Sequence, residues 1–299
     1  MKSKMNLIKV KITPYSSFAS FPKGDMLFGQ FAYNSFLKGE KIFEDYLSSE
    51  PKIIFSDFLP NEYLYKPALP MDFFGVEEND KKEFKKRNWI KVESLQKGID
   101  VKNSEDFKPY ENLKFIKEKL TVRNSLNRTN FRTGDGDDGF APHSLEEIEF
   151  LYQPVIYVMF KEPFSEDDII DRLNEIGKVG FGKKGSIGKG HFKAQIDKSF
   201  KGFDGVDSDY YLTLSPTILH KSKDVVEKAY YNIFNRFGKY HSTSTPFKKS
   251  LLMADSGAVV KLKEKKKWIG GAVDNGIGKQ SFVQGYSIVV PFKFDGKGL

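Results

Sequence analysis

The sequence of 299 residues contains no cysteine, which excludes disulfides, zinc–thiolate sites, iron–sulfur clusters and thiol nucleophiles. Its four histidines are scattered and have none of the spacings typical of metal ligands. The longest apolar stretch, 150–160, is interrupted by Gln153 and Pro154 and is too short to span a bilayer. The N-terminus also lacks the apolar core of a signal peptide. We therefore expect a cytoplasmic protein with no membrane association, no metal and no cofactor.

Arginine is also scarce, because only six of the 48 basic residues are arginine and the rest are lysine. Three of the six, Arg123, Arg128 and Arg132, lie within ten residues of one another. A guanidinium group binds phosphate through two hydrogen bonds and stacks on nucleobases, which an ammonium group cannot do. The cluster therefore favours phosphate binding. An internal ion-pair cluster with the acidic loop at 135–138 is the alternative.

Basic residues exceed acidic residues by 48 to 40, which gives a formal net charge of +8. Such an excess attracts polyanions such as nucleic acid. A lysine-rich composition inherited from an AT-rich genome would produce the same number. The positions of the basic residues are therefore more informative than their total.

One segment, 177–190, concentrates six glycines and four lysines in fourteen positions. Glycine permits positive φ angles and close approach of the backbone to a ligand, and successive N–H groups in such a loop can form an anion-binding concavity. Gly180, Gly182 and Gly185 match the G-x-G-x-x-G pattern, but a helix is predicted before it and a strand after it, the reverse of a dinucleotide fold. We predict a loop that binds a polyanion backbone. A plain flexible connection is the alternative.

Hydrophobic periodicity predicts the ferredoxin-like order β-α-β-β-α-β in the second half of the chain and β-α-β at the start of the first half. We therefore expect an α+β protein of two related domains in tandem, 1–146 and 147–299, and the family resemblance described below implies that both are ferredoxin-like. The first is expected to carry a protruding hairpin insertion at about 70–118. The predicted strands are 7–13, 52–58, 120–127, 147–161, 191–197, 209–215, 257–263 and 281–294. The predicted helices are 25–37, with Asp25 as N-cap, 165–177, with Ser165 as N-cap, and 223–237. A four-stranded sheet of this topology is also the scaffold of a common RNA-binding module.

Five segments together resemble the RAMP superfamily of CRISPR systems, and within it the fourth-subunit family of type III-A Csm effector complexes. These segments are 21–29 at the start of the first helix, the glycine loop ending at 185–190, 123–129, 238–240 with 246–249 and Gly257, and 285–291. The related subunit family of type III-B complexes is a close alternative.

The resemblance implies a non-catalytic subunit that grips the repeat-derived 5′ handle of CRISPR RNA (crRNA). It also implies contact with the large polymerase-like subunit, with a backbone RAMP subunit and, in the assembled complex, with target RNA. A thumb, placed within about 70–100, would disturb guide–target pairing. Processing nucleases of the superfamily often use a histidine in or near the first helix, and residues 25–38 contain none.

The RNA-binding residues predicted from these patterns share positive charge, hydrogen-bonding capacity or an accessible backbone. They are Lys23, Arg123, Asn124, Arg128, Arg132, Gly182, Lys183, Lys184, Gly185, Ser186, Lys189, His191, Lys248 and Lys249. Two alternatives stay open. One is a metal-independent endoribonuclease that uses His191 or His241, and the other is a nucleotide-binding enzyme built on the glycine loop.

Overall fold

The computed structural model describes most of the chain and shows a mixed α/β protein that is rich in strands. The residues described are 5–74, 76, 78–98, 107–109, 113–124, 126, 131, 133, 142–203, 205–238, 247–275 and 282–294. The helices are α1 (Gly24–Leu37), α2 (Lys81–Lys85), α3 (Val92–Lys97) and α4 (Glu166–Val179). The strands are β1 (Asn6–Pro14), β2 (Ile53–Phe55), β3 (Leu59–Pro60), β4 (Tyr63–Tyr65), β5 (Arg87–Lys91), β6 (Phe107–Pro109), β7 (Ile116–Arg123), β8 (His143–Phe150), β9 (Pro154–Phe160), β10 (Phe192–Ile196), β11 (Tyr210–Thr213), β12 (Val226–Tyr230), β13 (Ile233–Arg236), β14 (Leu251–Ala254), β15 (Val259–Leu262), β16 (Trp268–Gly270), β17 (Val273–Asp274), β18 (Phe282–Val283) and β19 (Tyr286–Pro291).

The first sheet has the strand order β10-β1-β9-β2, and each pair of neighbours is antiparallel. Along the chain its elements follow the order β1-α1-β2-β9-α4-β10, which is the ferredoxin-like arrangement. Every residue of β9 is buried, and both helices contribute buried side chains to the same hydrophobic core. The helix predicted at 25–37 and the strands predicted at 7–13, 52–58 and 191–197 are confirmed.

This sheet joins strands from both sides of the expected division at residues 146 and 147. The single strand predicted at 147–161 is wrong, because β8 and β9 are separate strands with different partners. β8 forms an eight-pair ladder with β7, whereas β9 lies between β1 and β2. One nearly continuous apolar run spans both strands, and the sequence pattern does not show where the pairing partner changes.

The second sheet has the order β12-β15-β11-β19-β16, and β13 and β14 form a separate hairpin. The helix predicted at 223–237 is wrong, because this segment forms β12 and β13. Its apolar positions fit a helical spacing, but they are rich in β-branched and aromatic side chains, which favour strands once a neighbouring strand supplies hydrogen bonds. Here β15 and β14 are those neighbours. The tandem arrangement of two complete ferredoxin-like domains stays a prediction.

The described part of 70–118 is packed on the core, and the protruding hairpin or thumb expected there stays a prediction. β4, β5 and β6 form a small sheet. Trp89 on β5 is 3% exposed and lies 5.1 Å from the ring of Tyr65 and 5.3 Å from that of Phe115. Apolar residues inside the charged run therefore attach it to the core. The β7–β8 ladder is the more exposed element, with Val122 68% exposed.

The ends of α1 and α4 differ from the prediction at two positions, Asp25 and Gly177. Ser165 caps α4 as predicted, since its hydroxyl accepts from the N–H of Asp168 at 3.2 Å. However, the helix continues through Gly177 to Val179, and Gly180 follows it with φ 101°. Gly177 is needed inside the helix because a Cβ there would lie 2.0 Å from the carbonyl oxygen of Phe192. Asp25 does not cap α1, whose N-cap position is Lys23. In the part of the chain that the structure covers, no helix combines the length and apolarity that crossing a membrane requires.

Candidate nucleic-acid interface

The glycine loop joins α4 to β10 and turns through several left-handed residues. Gly182, Gly188 and Gly190 have φ angles of 77°, 88° and 72°, and Lys184 has a φ of 66°. A right-handed turn of 3-10 helix at 185–187 follows Lys184 directly. The N–H groups of Gly185, Ile187 and Gly188 donate to carbonyl oxygens within the loop, so they close its turns and do not form an open anion-binding nest.

The base of this loop is held firmly, and its tip is exposed. Phe181 is 2% exposed and stacks on Phe58 with ring centroids 6.2 Å apart. Gln30 on α1 accepts from the N–H of Gly182 at 3.2 Å and donates to the carbonyl oxygen of Gly180 at 3.4 Å. Because the anchors lie at 180–182, the exposed residues of the tip are presented on a fixed base.

The tip carries two lysines whose charges are not neutralised in the described structure. Lys183, Lys184 and Ser186 are all exposed. Within the ranges given above, no carboxylate forms an ion pair with Lys183 or Lys184. Two adjacent, exposed ammonium groups provide a site for phosphate.

A buried carboxylate, Glu147 on β8, connects this loop with the end of β7. Its side chain is 5% exposed; one oxygen lies 2.6 Å from the Lys189 Nζ and accepts from the Ser17 hydroxyl at 2.7 Å. The other oxygen lies 3.3 Å from a guanidinium nitrogen of Arg123. The hydrogen bonds from Lys189 and Ser17 lower the pKa of Glu147 to about 2. Arg123 and Lys189 are therefore brought together, and they share one carboxylate.

A second polar cluster surrounds the N-terminus of α1. The Lys23 ammonium lies 2.7 Å from Asp255 and 3.4 Å from Asp57. Asp57 is fully buried and also accepts from the Gly24 N–H at 2.8 Å and from the Tyr65 hydroxyl at 2.9 Å. Burial alone lowers the pKa of Lys23, but Asp57 and Asp255 outweigh this effect and raise it. Lys23 therefore serves an internal network that joins α1 to the β14–β15 turn.

The same helix turn binds the β13–β14 hairpin. Asp25 is buried, and its two carboxylate oxygens contact the guanidinium group of Arg236. Burial raises the pKa of Asp25 in spite of the arginine. The ring of Phe234 lies between two cations, 4.7 Å from the Lys23 ammonium and 4.8 Å from the Arg236 guanidinium. Lys248 is half-buried beside this pair, and burial lowers its pKa.

The predicted site residues thus fall into two groups, one around the glycine loop and one around the start of α1 and the β13–β14 hairpin. Arg123, Asn124, Gly182, Lys183, Lys184, Gly185, Ser186, Lys189 and His191 belong to the glycine-loop side, whereas Lys23, Lys248 and Lys249 belong to the hairpin side. A Cβ on Gly182 would lie 3.7 Å from the Met26 Cε, next to Asp25 in the same helix. Arg128, Arg132 and His241 lie outside the described residues.

Sequence reasoning missed Glu147, Gln30 and the Asp25–Arg236 pair. A signal for Glu147 was present, because Leu145 and Glu147 are alternate residues of a strand and therefore face the same, buried side. A carboxylate on that side requires cationic partners. No comparable local signal marks Asp25, whose partner is 211 residues away in sequence.

No protein-family model and no curated protein sequence matches this chain. Solved structures do share its fold. A chain of the Csm3–Csm4 subcomplex of the type III-A CRISPR–Cas interference complex aligns with a TM-score of 0.58 and 17% identity, covering 96% of this chain and 99% of that chain. Chains of the Csm1–Csm4 cassette in complex with AMPPNP and with pppApA give TM-scores of 0.60 and 0.58, with 18% and 17% identity, each covering 97% of this chain and 99% of that chain. The resemblance to Csm subunits is confirmed at the level of the fold: over nearly its whole length, the chain has the fold of chains found in type III-A Csm subcomplexes.

Proposed function

We propose that this protein is a non-catalytic, Csm4-like RAMP subunit of a cytoplasmic type III-A CRISPR effector complex. It binds the repeat-derived 5′ handle of crRNA and links a large polymerase-like subunit to a backbone RAMP subunit. The support for the partners is the shared fold, because chains of this fold occur in Csm1–Csm4 and Csm3–Csm4 assemblies. In such a complex the chain also lies near target RNA paired with the guide.

The observation that carries RNA binding is the tip of the glycine loop. Lys183 and Lys184 are exposed side by side, directly before a 3-10 turn that internal hydrogen bonds hold in place. The rigid attachment through Phe181 and Gln30 lowers the entropic cost of fixing these groups on a ligand. Phosphate oxygens complement both the positive charge and the N–H donors of the two ammonium groups.

The other predicted contacts take different roles in this proposal. Arg123 is 33% exposed and makes one long contact with Glu147, so its remaining donors can reach a phosphate. Lys189 is 13% exposed and is held by Glu147 and Ser17, so it fixes the loop and contributes positive electrostatic potential near the site. Lys23 is 17% exposed and stabilises the start of α1.

The experiment that tests RNA binding measures the salt dependence of affinity for fluorescent single-stranded repeat RNA. Each phosphate contact on a single strand contributes about −0.7 to the slope of log K against log salt concentration. The double variant Lys183→Ala, Lys184→Ala should therefore weaken binding and flatten the slope by about 1.4. Lys41→Ala, an exposed lysine beyond the far end of α1, is the matched control and should change neither quantity. An unchanged slope in the double variant contradicts the proposal.

The non-catalytic character is tested separately. Of the two histidines proposed as an acid or base, His191 lies in the described part of the chain. It is half-buried, and its backbone forms hydrogen bonds with Ser16 and Tyr15. Pure protein incubated with repeat RNA in EDTA should leave the RNA intact. Specific cuts that disappear in His191→Ala would favour the endoribonuclease. Co-purification with a tagged large subunit, followed by sequencing of the attached RNA, tests the assembly and the handle.

A further inference from the structure

Two exposed phenylalanines lie at the end of the β13–β14 hairpin where the chain leaves β13 and returns to β14. Phe237, directly after β13, is 67% exposed, and Phe247, shortly before β14, is 65% exposed. The N–H of Lys248 donates to the carbonyl oxygen of Gly238 at 3.0 Å, so each ring directly precedes one member of this contact. Exposed phenylalanines in a pair are costly in water and are typical of a surface that binds something.

The hairpin that carries these rings is fixed on its inner side. There Arg236 pairs with the buried Asp25. On the exposed side, the Ser250 hydroxyl donates to the side chain of Asn235 across the hairpin. The side chain of Lys248 packs over Gly238, where a Cβ would lie 3.3 Å from the Lys248 Cδ. Neighbouring side chains point to opposite sides of a strand, so the inward Arg236 leaves Phe237 on the outward side.

The charges beside the rings favour nucleic acid as the ligand. Lys249 is exposed and Lys248 is half-exposed directly after Phe247. The nearest buried carboxylate, Asp25, is already paired with Arg236. Proteins that bind single-stranded nucleic acid commonly place aromatic side chains next to lysines, because the bases stack on the rings while the cations bind the phosphate backbone.

The position of the hairpin relative to the glycine loop fits the path of a single strand. Gly182 lies beside Met26, and Arg236 binds Asp25, the preceding residue of α1. The glycine loop and the hairpin therefore both contact the same helix turn. We infer that Phe237 and Phe247 stack on nucleobases of the single-stranded RNA whose phosphates contact the glycine loop and Lys249. This inference rests on the proposed function and adds the base-stacking site to it.

The test uses the full-length chain and two fluorescent single-stranded RNAs of equal length, one of them abasic at internal positions. Each of Phe237→Ala and Phe247→Ala should weaken binding of the normal RNA about 5- to 150-fold. Binding of the abasic RNA should not change, and the salt slope should stay at the wild-type value because no phosphate contact is lost. Phe237→Tyr should retain affinity. Phe36→Ala removes a phenylalanine that is 50% exposed at the far end of α1, about 16 Å along the helix from Asp25, and serves as the control.

The outcomes separate this inference from the proposed function. If the wild type binds RNA with a slope that depends on Lys183 and Lys184, but both phenylalanine variants bind equally well, the stacking site is wrong and the RNA-binding proposal stands. If the wild type does not bind single-stranded RNA, both fail. If the variants bind RNA normally but no longer co-purify with the large subunit, the rings form a protein interface, which also overturns the inference.

Discussion

Replacing Glu147 by glutamine removes the negative charge that lies between Lys189 and Arg123. The pKa of this carboxyl group is lowered from its ordinary value of 4.5 to about 2, chiefly by the hydrogen bonds from Lys189 and Ser17. At 1.36 kcal/mol per pKa unit, the difference corresponds to about 3 kcal/mol of folding free energy at neutral pH. Glutamine keeps one acceptor oxygen but leaves two cations without a counter-charge. We expect Glu147→Gln to lower the free energy of unfolding at pH 7 by about 2–3 kcal/mol.

The stabilisation that Glu147 contributes should depend on pH in a defined direction. A carboxyl group with a lowered folded-state pKa stabilises the fold above its unfolded pKa, and this contribution is lost as pH falls through the folded pKa. For Glu147 the contribution is complete above about pH 5.5 and falls to about 2 kcal/mol at pH 3.5. The glutamine variant has no such titration. The difference between wild type and variant should therefore shrink as the solution is acidified.

The assay is urea unfolding of both proteins between pH 7 and pH 3.5, followed by circular dichroism. Glu146→Gln is the matched control, since Glu146 is exposed on the same strand, and it should change the free energy of unfolding by less than about 0.5 kcal/mol. Equal stability of wild type and Glu147→Gln at pH 7 refutes the reasoning. A difference that stays constant with pH refutes the assignment to the charge.

Three further predictions concern packing and helix ends. Gly177→Ala places a Cβ 2.0 Å from a carbonyl oxygen of β10, so it should lower the free energy of unfolding in urea by about 3 kcal/mol or more. The control is Gly29→Ala, whose Cβ would meet nothing within 4 Å; it should be neutral or should stabilise the fold by up to about 1 kcal/mol. Arg236→Met leaves the buried Asp25 without its cation and should lower the free energy of unfolding by about 3–5 kcal/mol. Adding Asp25→Asn should restore part of this stability. If it restores none, the ion pair is not the cause of the loss. Ser165→Ala should lower the free energy of unfolding by about 1 kcal/mol through loss of the α4 cap, and an unchanged melting temperature would contradict that role.

Some parts of the fold and of the candidate site followed from local chemistry. The strand at 7–13 was predictable from strict alternation, and α4 from the Ser165 cap and an amphipathic pattern. The glycine loop was predictable as a left-handed, lysine-bearing turn because φ preferences and charge are properties of single residues. The segment 223–237 was not, because its apolar spacing fits both a helix and two strands, and hydrogen-bonding partners at β14 and β15 decide between them.

The sequence by itself determined the chemistry available to this protein: no thiol, few arginines, and cations gathered near glycines. Only the tertiary structure decided that β1 pairs with β9 and β10, that Lys23 is committed to Asp57 and Asp255, and that Glu147 joins Arg123 to Lys189. The reason is that periodicity reports which side of an element is buried. Which distant residue it meets there depends on the packing of the whole chain.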